Sequence, residues 1–216
     1  YASFIIYQEN SHKIELITHK IQGIKTVSTL KPLRIIAAKH RGTSAQWFSG
    51  NKEIATTIHS LETDMQQAFK HAEKSISHTD YSSQSLNKLK QLEQKWQLLL
   101  FKSIQSQDPG NSFSSHSLWV SQVDQLISSI ARQSGLTLDQ NVATYELMSI
   151  TVFALPKLQE ALGQLRGIGA GVATKGSFDS NSFVSASTLY KTIQKKTENI
   201  KTISYKQPTL PKTRAR

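Results

Sequence analysis

His40 and Arg41 are the residues with the most chemical potential, because small and hydroxyl-bearing side chains surround them in Ala38-Lys39-His40-Arg41-Gly42-Thr43-Ser44-Ala45. An arginine fork beside an imidazole and the hydroxyls of Thr43 and Ser44 can hold a small anion by charge-assisted hydrogen bonds. The same residues have a plainer reading, in which Arg41 lays its stem along the surface and the small residues mark close helix packing. Arg166 poses the same choice. It sits among seam residues and glycines, half-buried by expectation, and needs either an internal carboxylate such as Glu146 or a ligand anion. Tyr145 could add a hydroxyl to such a site.

Other chemistries find no footing. Arg166-Gly-Ile-Gly-Ala-Gly171 looks like a phosphate loop, but helical sequence precedes and follows it, whereas a dinucleotide fingerprint needs a strand and then a helix start. Its glycines read as a close helix contact. The chain has 7 His and 0 Cys. His12 and His19 lie two turns apart, no two His stand at i, i+4, and no acids cluster beside them, so neither a metal nor any other cofactor is expected. There is no Gly-x-Ser-x-Gly elbow and no assignable carboxylate pair, so no catalytic residue can be named and an enzyme is not expected.

The elements that must position these residues read as helices. Ile14, Ile17, Ile21 and Ile24 step by three and four, and the stripe continues through Leu30 and Leu33 to Ala37. That predicts one helix over 3–48, about 65–70 Å long at ~1.5 Å per residue, with a bend near Gly23 or Pro32. Asn51 is the expected cap of a second helix over 52–77, striped by Ile54, Ile58, Leu61, Met65 and Phe69. A third, over 83–106, carries Leu86, Leu89, Leu92, Trp96 and Leu99. Asp108-Pro109-Gly110-Asn111 reads as a turn. Trp119, Val123, Leu126 and Ile130 mark a helix over 112–134. A longer one over 140–174 has a coiled-coil-like seam of Leu155, Leu158, Leu162, Leu165, Gly169 and Val172. The last, over 178–204, shows Phe183, Ala186, Tyr190, Ile193 and Ile200.

The expected fold is therefore all-α, an elongated up-down bundle of long helices that could form two stacked four-helix modules. One domain is expected over 1–206, with 207–216 as a disordered tail.

The chain has 216 residues and a formal charge of +11, with 38% apolar and 19% charged residues, which is too apolar for a disordered chain. Its lysines are spread from Lys13 to Lys212 rather than gathered on one face, so the charge favours anions at long range without marking a nucleic-acid interface. No window is long and apolar enough for a membrane span, and with no initiating Met or signal peptide the chain reads as a segment of a longer protein.

Three stretches, in order, resemble the extracytoplasmic sensor region of bacterial methyl-accepting chemotaxis proteins that carry a helical-bundle input domain. They are Lys39-His-Arg-Gly-Thr-Ser-Ala-Gln-Trp-Phe-Ser-Gly-Asn51; Ser112-Phe-Ser-Ser-His-Ser-Leu118 with Ser134-Gly-Leu-Thr-Leu-Asp139; and Ala143-Thr-Tyr-Glu-Leu-Met148 running through Leu155-Pro156 to Leu162-Gly-Gln-Leu-Arg-Gly-Ile-Gly-Ala170. Glu146 and Thr43 depart from the pattern, each standing where the family commonly has Leu.

The resemblance implies a periplasmic, homodimeric ligand-sensing domain held by flanking membrane helices outside this segment. It would bind a small molecule, with a carboxylate or other anion suggested by the charge, and pass a helix displacement across the membrane. Sensor histidine kinases and cyclic-dinucleotide enzymes use similar bundles, so the output stays open. The competing expectation is a non-enzymatic helical scaffold that binds a protein partner through an exposed seam.

Overall fold

Short polar connections between long apolar stripes leave the chain little choice but to fold back on itself, helix against helix. The computed structural model describes residues 2–106, 108–138 and 142–206, and every element among them is helical. The expected tail, 207–216, lies outside the described residues. The chain divides into two compact units, Tyr1–Leu138 and Asp139–Arg216.

The first unit is an antiparallel four-helix bundle of α1 (Ala2–Phe48), α2 (Ala55–Ser77), α3 (Ser82–Ser106) and α4 (Pro109–Gln133). α1 and α3 each pack against both α2 and α4. The connections suit this winding. Gly50 takes a left-handed φ of 104° in the first, which a side chain would resist, and a 3₁₀ turn over Lys52–Ile54 leads into α2. Asn51 makes no side-chain cap there, contrary to expectation. At the second, the Thr79 hydroxyl donates to the Ile76 carbonyl at 2.7 Å. At the third, the residues read as a turn prove to be a cap and a first helical turn. The Asp108 carboxylate accepts from the Gly110 and Asn111 amides, and Pro109, which has no N–H to lose, begins α4.

The core is built from Leu30, Leu33 and Ala37 of α1, Met65, Phe69 and Ile76 of α2, Leu89, Leu92 and Trp96 of α3, and Trp119, Val123 and Ile130 of α4. On α2, α3 and α4 these are largely the stripes legible in the sequence. On α1 they are not. Ile14, Ile17, Ile21 and Ile24 are all exposed, and the buried face is Gly23, Thr26, Val27, Leu30, Leu33, Arg34, Ala37, His40, Arg41 and Ser44. The isoleucines lie one residue, about 100° around the helix, from that face. Pro32 is inside α1, where its ring has no N–H to give the Ser28 carbonyl; both residues are exposed.

α1 and α4 are joined by polar contacts along their length. Arg34 Nε lies 2.8 Å from Asp124 Oδ1. Gly23 presses against Ser134, the buried residue that ends α4, so closely that a Cβ would overlap its side chain. Gly23→Ala should therefore cost about 1–3 kcal/mol by overpacking, even though alanine is the better helix former. Chemical denaturation of the variant checks this, and an unchanged midpoint would mean that α1 is not held so close to α4.

The second unit contains α5 (Val142–Met148), a π-helical stretch over Ser149–Ala154, α6 (Leu155–Lys175) and α7 (Ser180–Lys206). The expected single helix over 140–174 is thus interrupted. Pro156, with no N–H to offer the Val152 carbonyl, accounts for a looser winding just ahead of it. α6 and α7 form a hairpin turned at Gly176, which adopts φ 65° and donates to the Val172 carbonyl. Val152 and Ala161 are buried, but Leu155 and Leu162 of the expected seam and Phe183 and Tyr190 of the last helix's stripe are exposed in this unit.

Candidate functional site

The antiparallel run of α1 and α4 sets the last turns of one beside the first turns of the other, and two histidines meet there. His116 Nδ1 lies 2.7 Å from the Ser112 carbonyl, which can only accept, so the ring carries its proton on Nδ1. Its Nε2 is then an acceptor in the neutral ring, and it takes the proton of His40 Nδ1 at 2.8 Å. The Ser44 hydroxyl stands 3.2 Å from that same Nδ1. His40 Nε2 is left as a bare lone pair, buried without a hydrogen-bond partner, 3.7 Å from Glu62 Oε1 on α2. The other Glu62 oxygen is 3.1 Å from His59 Nδ1.

α3 closes the cluster with Trp96, whose ring meets His40 edge-on at 5.1 Å between centroids and stands 5.8 Å from His116. Trp119, 5.0 Å from Trp96, donates its indole N–H to the Leu92 carbonyl at 2.9 Å. Arg41 is buried too. Its Nη1 donates to the Ser117 hydroxyl at 2.8 Å, and its guanidinium lies over the Phe113 ring, 4.9 Å from the centroid.

This environment keeps both imidazoles neutral. Burial, with the neighbouring His116 ring adding to it, lowers His40 to about 3. Burial also lowers His116 to about 4, against the pull of the Ser112 carbonyl and with the help of the Arg41 charge. The cluster is thus a neutral hydrogen-bonded chain from Ser112 and His116 on α4 to His40 on α1, with the Glu62 carboxylate of α2 nearby but not bonded to it.

A groove of about 370 Å³ opens beside the cluster, between the end of α3 and the start of α4. Ser112 and Trp119 are both part of its wall. Lys95 and Lys102 line it from α3, with Ser115 and Gln122 opposite on α4. No group of three or more His, Asp or Glu suited to a metal occurs among the described residues.

Of the residues expected from sequence, His40, Arg41 and Ser44 come together here. Thr43 does not face the cluster, because its hydroxyl donates back to the Lys39 and His40 carbonyls of its own helix. The plainer reading of Arg41 as a surface residue is overturned, since it is 3% exposed. Tyr145 and Arg166 belong to the second unit and are exposed. The expected burial of Arg166 fails because its neighbours along the helix face, Leu162, Gly169 and Ala170, are exposed, whereas Ala161, Leu165 and Ile168 turn inward.

His116, Trp96 and Glu62 were not among the sequence candidates. His116 had a readable signal, as Ser112, His116, Trp119, Val123, Leu126 and Ile130 step by four and three along one buried face of α4. No family model, curated protein or solved structure matches the chain.

Proposed function

We propose that the chain is the ligand-sensing input domain of a transmembrane signalling receptor, chemoreceptor-like and extracytoplasmic, which binds a small anion and answers with a helix displacement. The observation that carries this reading is the juxtaposition of a lysine-lined groove with a buried hydrogen-bonded chain that links α4 to α1. A ligand settling between α3 and α4 moves groups that are hydrogen-bonded to α1, and α1 is one helix of 47 residues. A well-packed helix shifts as a unit, so a small movement at one end is carried along it. The +11 charge favours the arrival of anions, and the ordered resemblance to chemoreceptor input regions points the same way. No described helix is long and apolar enough to cross a membrane, so the proposed anchors belong to flanking sequence.

The test is a thermal-shift screen of the purified chain against small carboxylates, amino acids, nitrate and phosphate. A true ligand at a hundredfold excess over its Kd adds about 2.7 kcal/mol, enough to raise the midpoint by several degrees. A flat screen across the whole panel counts against the proposal.

The exposed stripe of Ile14, Ile17, Ile21 and Ile24 favours a protein partner for this part of α1, and a second copy of the chain is the partner we propose. Ile17→Asp/Ile21→Asp should convert a dimer seen by sedimentation at tens of micromolar into a monomer with unchanged helical content. A wild-type chain that sediments as a monomer at that concentration would instead favour the alternative of a scaffold for a different protein.

A further inference from the structure

Lys88, Lys95 and Lys102 recur every seventh residue of α3, so they fall on one face of that helix, about 10 Å apart along its axis. That face lies along α4, and the groups it meets there are neutral. Lys88 Nζ is 3.4 Å from the Ser129 hydroxyl and Lys95 Nζ is 3.1 Å from the Gln122 amide oxygen. An ammonium has three N–H donors, so the bond to Gln122 does not exhaust Lys95. Where Lys95 and Lys102 border the groove, no carboxylate stands among the described residues that line it. The nearest acids in sequence, Glu93 and Asp108, are not part of its lining, and Asp108 caps α4 through Oδ1. Two cations thus share a recess with no built-in counter-charge.

The rest of the recess is apolar. Leu98 and Leu118, 55% and 62% exposed, lie along the same groove between the two cations, and the Trp119 indole forms part of its wall. Leucines so exposed on an otherwise polar helix pair are the kind of surface a ligand covers. A polyanion would pair with the lysines and leave the leucines bare, and a metal cation would be repelled. The recess of about 370 Å³ lies near the lower end of the volumes that hold small ligands.

We infer that the groove between α3 and α4 binds a small organic carboxylate with an apolar stem, its head held by Lys95 and Lys102 and its stem against Leu98, Leu118 and Trp119. This rests on the reading of the chain as a sensor of small anions, and it supplies the site and the ligand class. A hydrated inorganic anion would leave the leucines in water, so a stemmed carboxylate should bind more tightly than phosphate or nitrate.

Titration calorimetry of the full chain with octanoate tests this, using 1-octanol as the uncharged control and Lys95→Ala/Lys102→Ala as the variant. Both lysines are exposed, so the variant should keep the thermal midpoint of the unliganded wild type. Saturable octanoate binding is expected, weakened at least tenfold in the variant, with octanol at least tenfold weaker than octanoate. A second variant, Leu118→Asn, should weaken octanoate several-fold while leaving the lysines in place.

Equal octanoate affinity in the wild type and the lysine variant, or no saturable octanoate binding at all, overturns the assignment. If some other anion of the thermal-shift panel stabilises the wild type and the lysine variant alike, the sensor reading stands and this site falls. If octanoate binds through the lysines but leaves the distance between α1 and α4 unchanged, the site stands and the sensor reading falls.

Discussion

Acidification from pH 7 to pH 5 weakens the first unit by about 3–4 kcal/mol, which is a large part of the stability of an ordinary domain. In the unfolded chain His40 and His116 have the ordinary value of 6.5 and take up protons over this interval, whereas in the fold they are held at about 3 and about 4 and stay neutral. Both folded values are depressed. The contribution is therefore fully present above pH 6.5 and is lost as the pH falls toward the folded values. Protonating either ring in place would put a cation among Trp96, Trp119 and the Arg41 guanidinium, with only Glu62 near enough to His40 Nε2 to answer it. Urea denaturation at pH 7 and pH 5 measures the difference. His116→Gln should be less stable at pH 7 but should lose only about half as much on acidification, because one of the two linked protons is gone. An equal loss in wild type and variant would show that the histidine pair is not the source.

Trp96→Ala removes the side chain that holds this pair in place and should cost about 3–5 kcal/mol. Trp96 is 1% exposed and stands against both histidine rings and Trp119. Its loss leaves a cavity beside polar groups that now depend on one another alone. Water entering that cavity relieves the burial that holds His40 low, so the variant should also show a shallower loss of stability between pH 7 and pH 5. Trp96→Phe, which keeps an aromatic edge near the rings, should recover much of the stability. Chemical denaturation of the three proteins at both pH values gives both effects. A Trp96→Ala chain that unfolds within about 1 kcal/mol of wild type would contradict the packing described here.

The all-α fold was legible because α2, α3 and α4 each bury one stripe with helical spacing, and their connections carry strong turn chemistry. α1 was misread for a physical reason. It has two apolar faces, one isoleucine stripe exposed at Ile14, Ile17, Ile21 and Ile24 and one core face that includes Thr26, Arg34, His40 and Arg41. A stripe rich in polar residues looks like a solvent face until its partners are known. Gly23 shows the same limit, since its need for a missing Cβ exists only because Ser134, more than a hundred residues away in sequence, folds against it.

At the site, the run around His40 and Arg41 stood out by residue type. His116 fell on a regular buried stripe that was read for its apolar members. Glu62 and the lysine face of α3 gain meaning from neighbours on other helices, which no local pattern supplies. The break in the second unit was foreshadowed by Pro156, although leucine spacing on both sides argued for one continuous helix.

The most direct test of the sensing claim is the distance between α1 and α4 with and without a bound anion. The chain has no cysteine, so Lys39→Cys/Gln125→Cys places one spin label on each of the two helices, at exposed positions. Double electron–electron resonance should report a shift on the order of 1–2 Å when octanoate or another stabilising anion saturates the protein, and none when Lys95→Ala/Lys102→Ala is combined with the labels. A distance distribution unchanged at saturation in the labelled wild type would contradict the account.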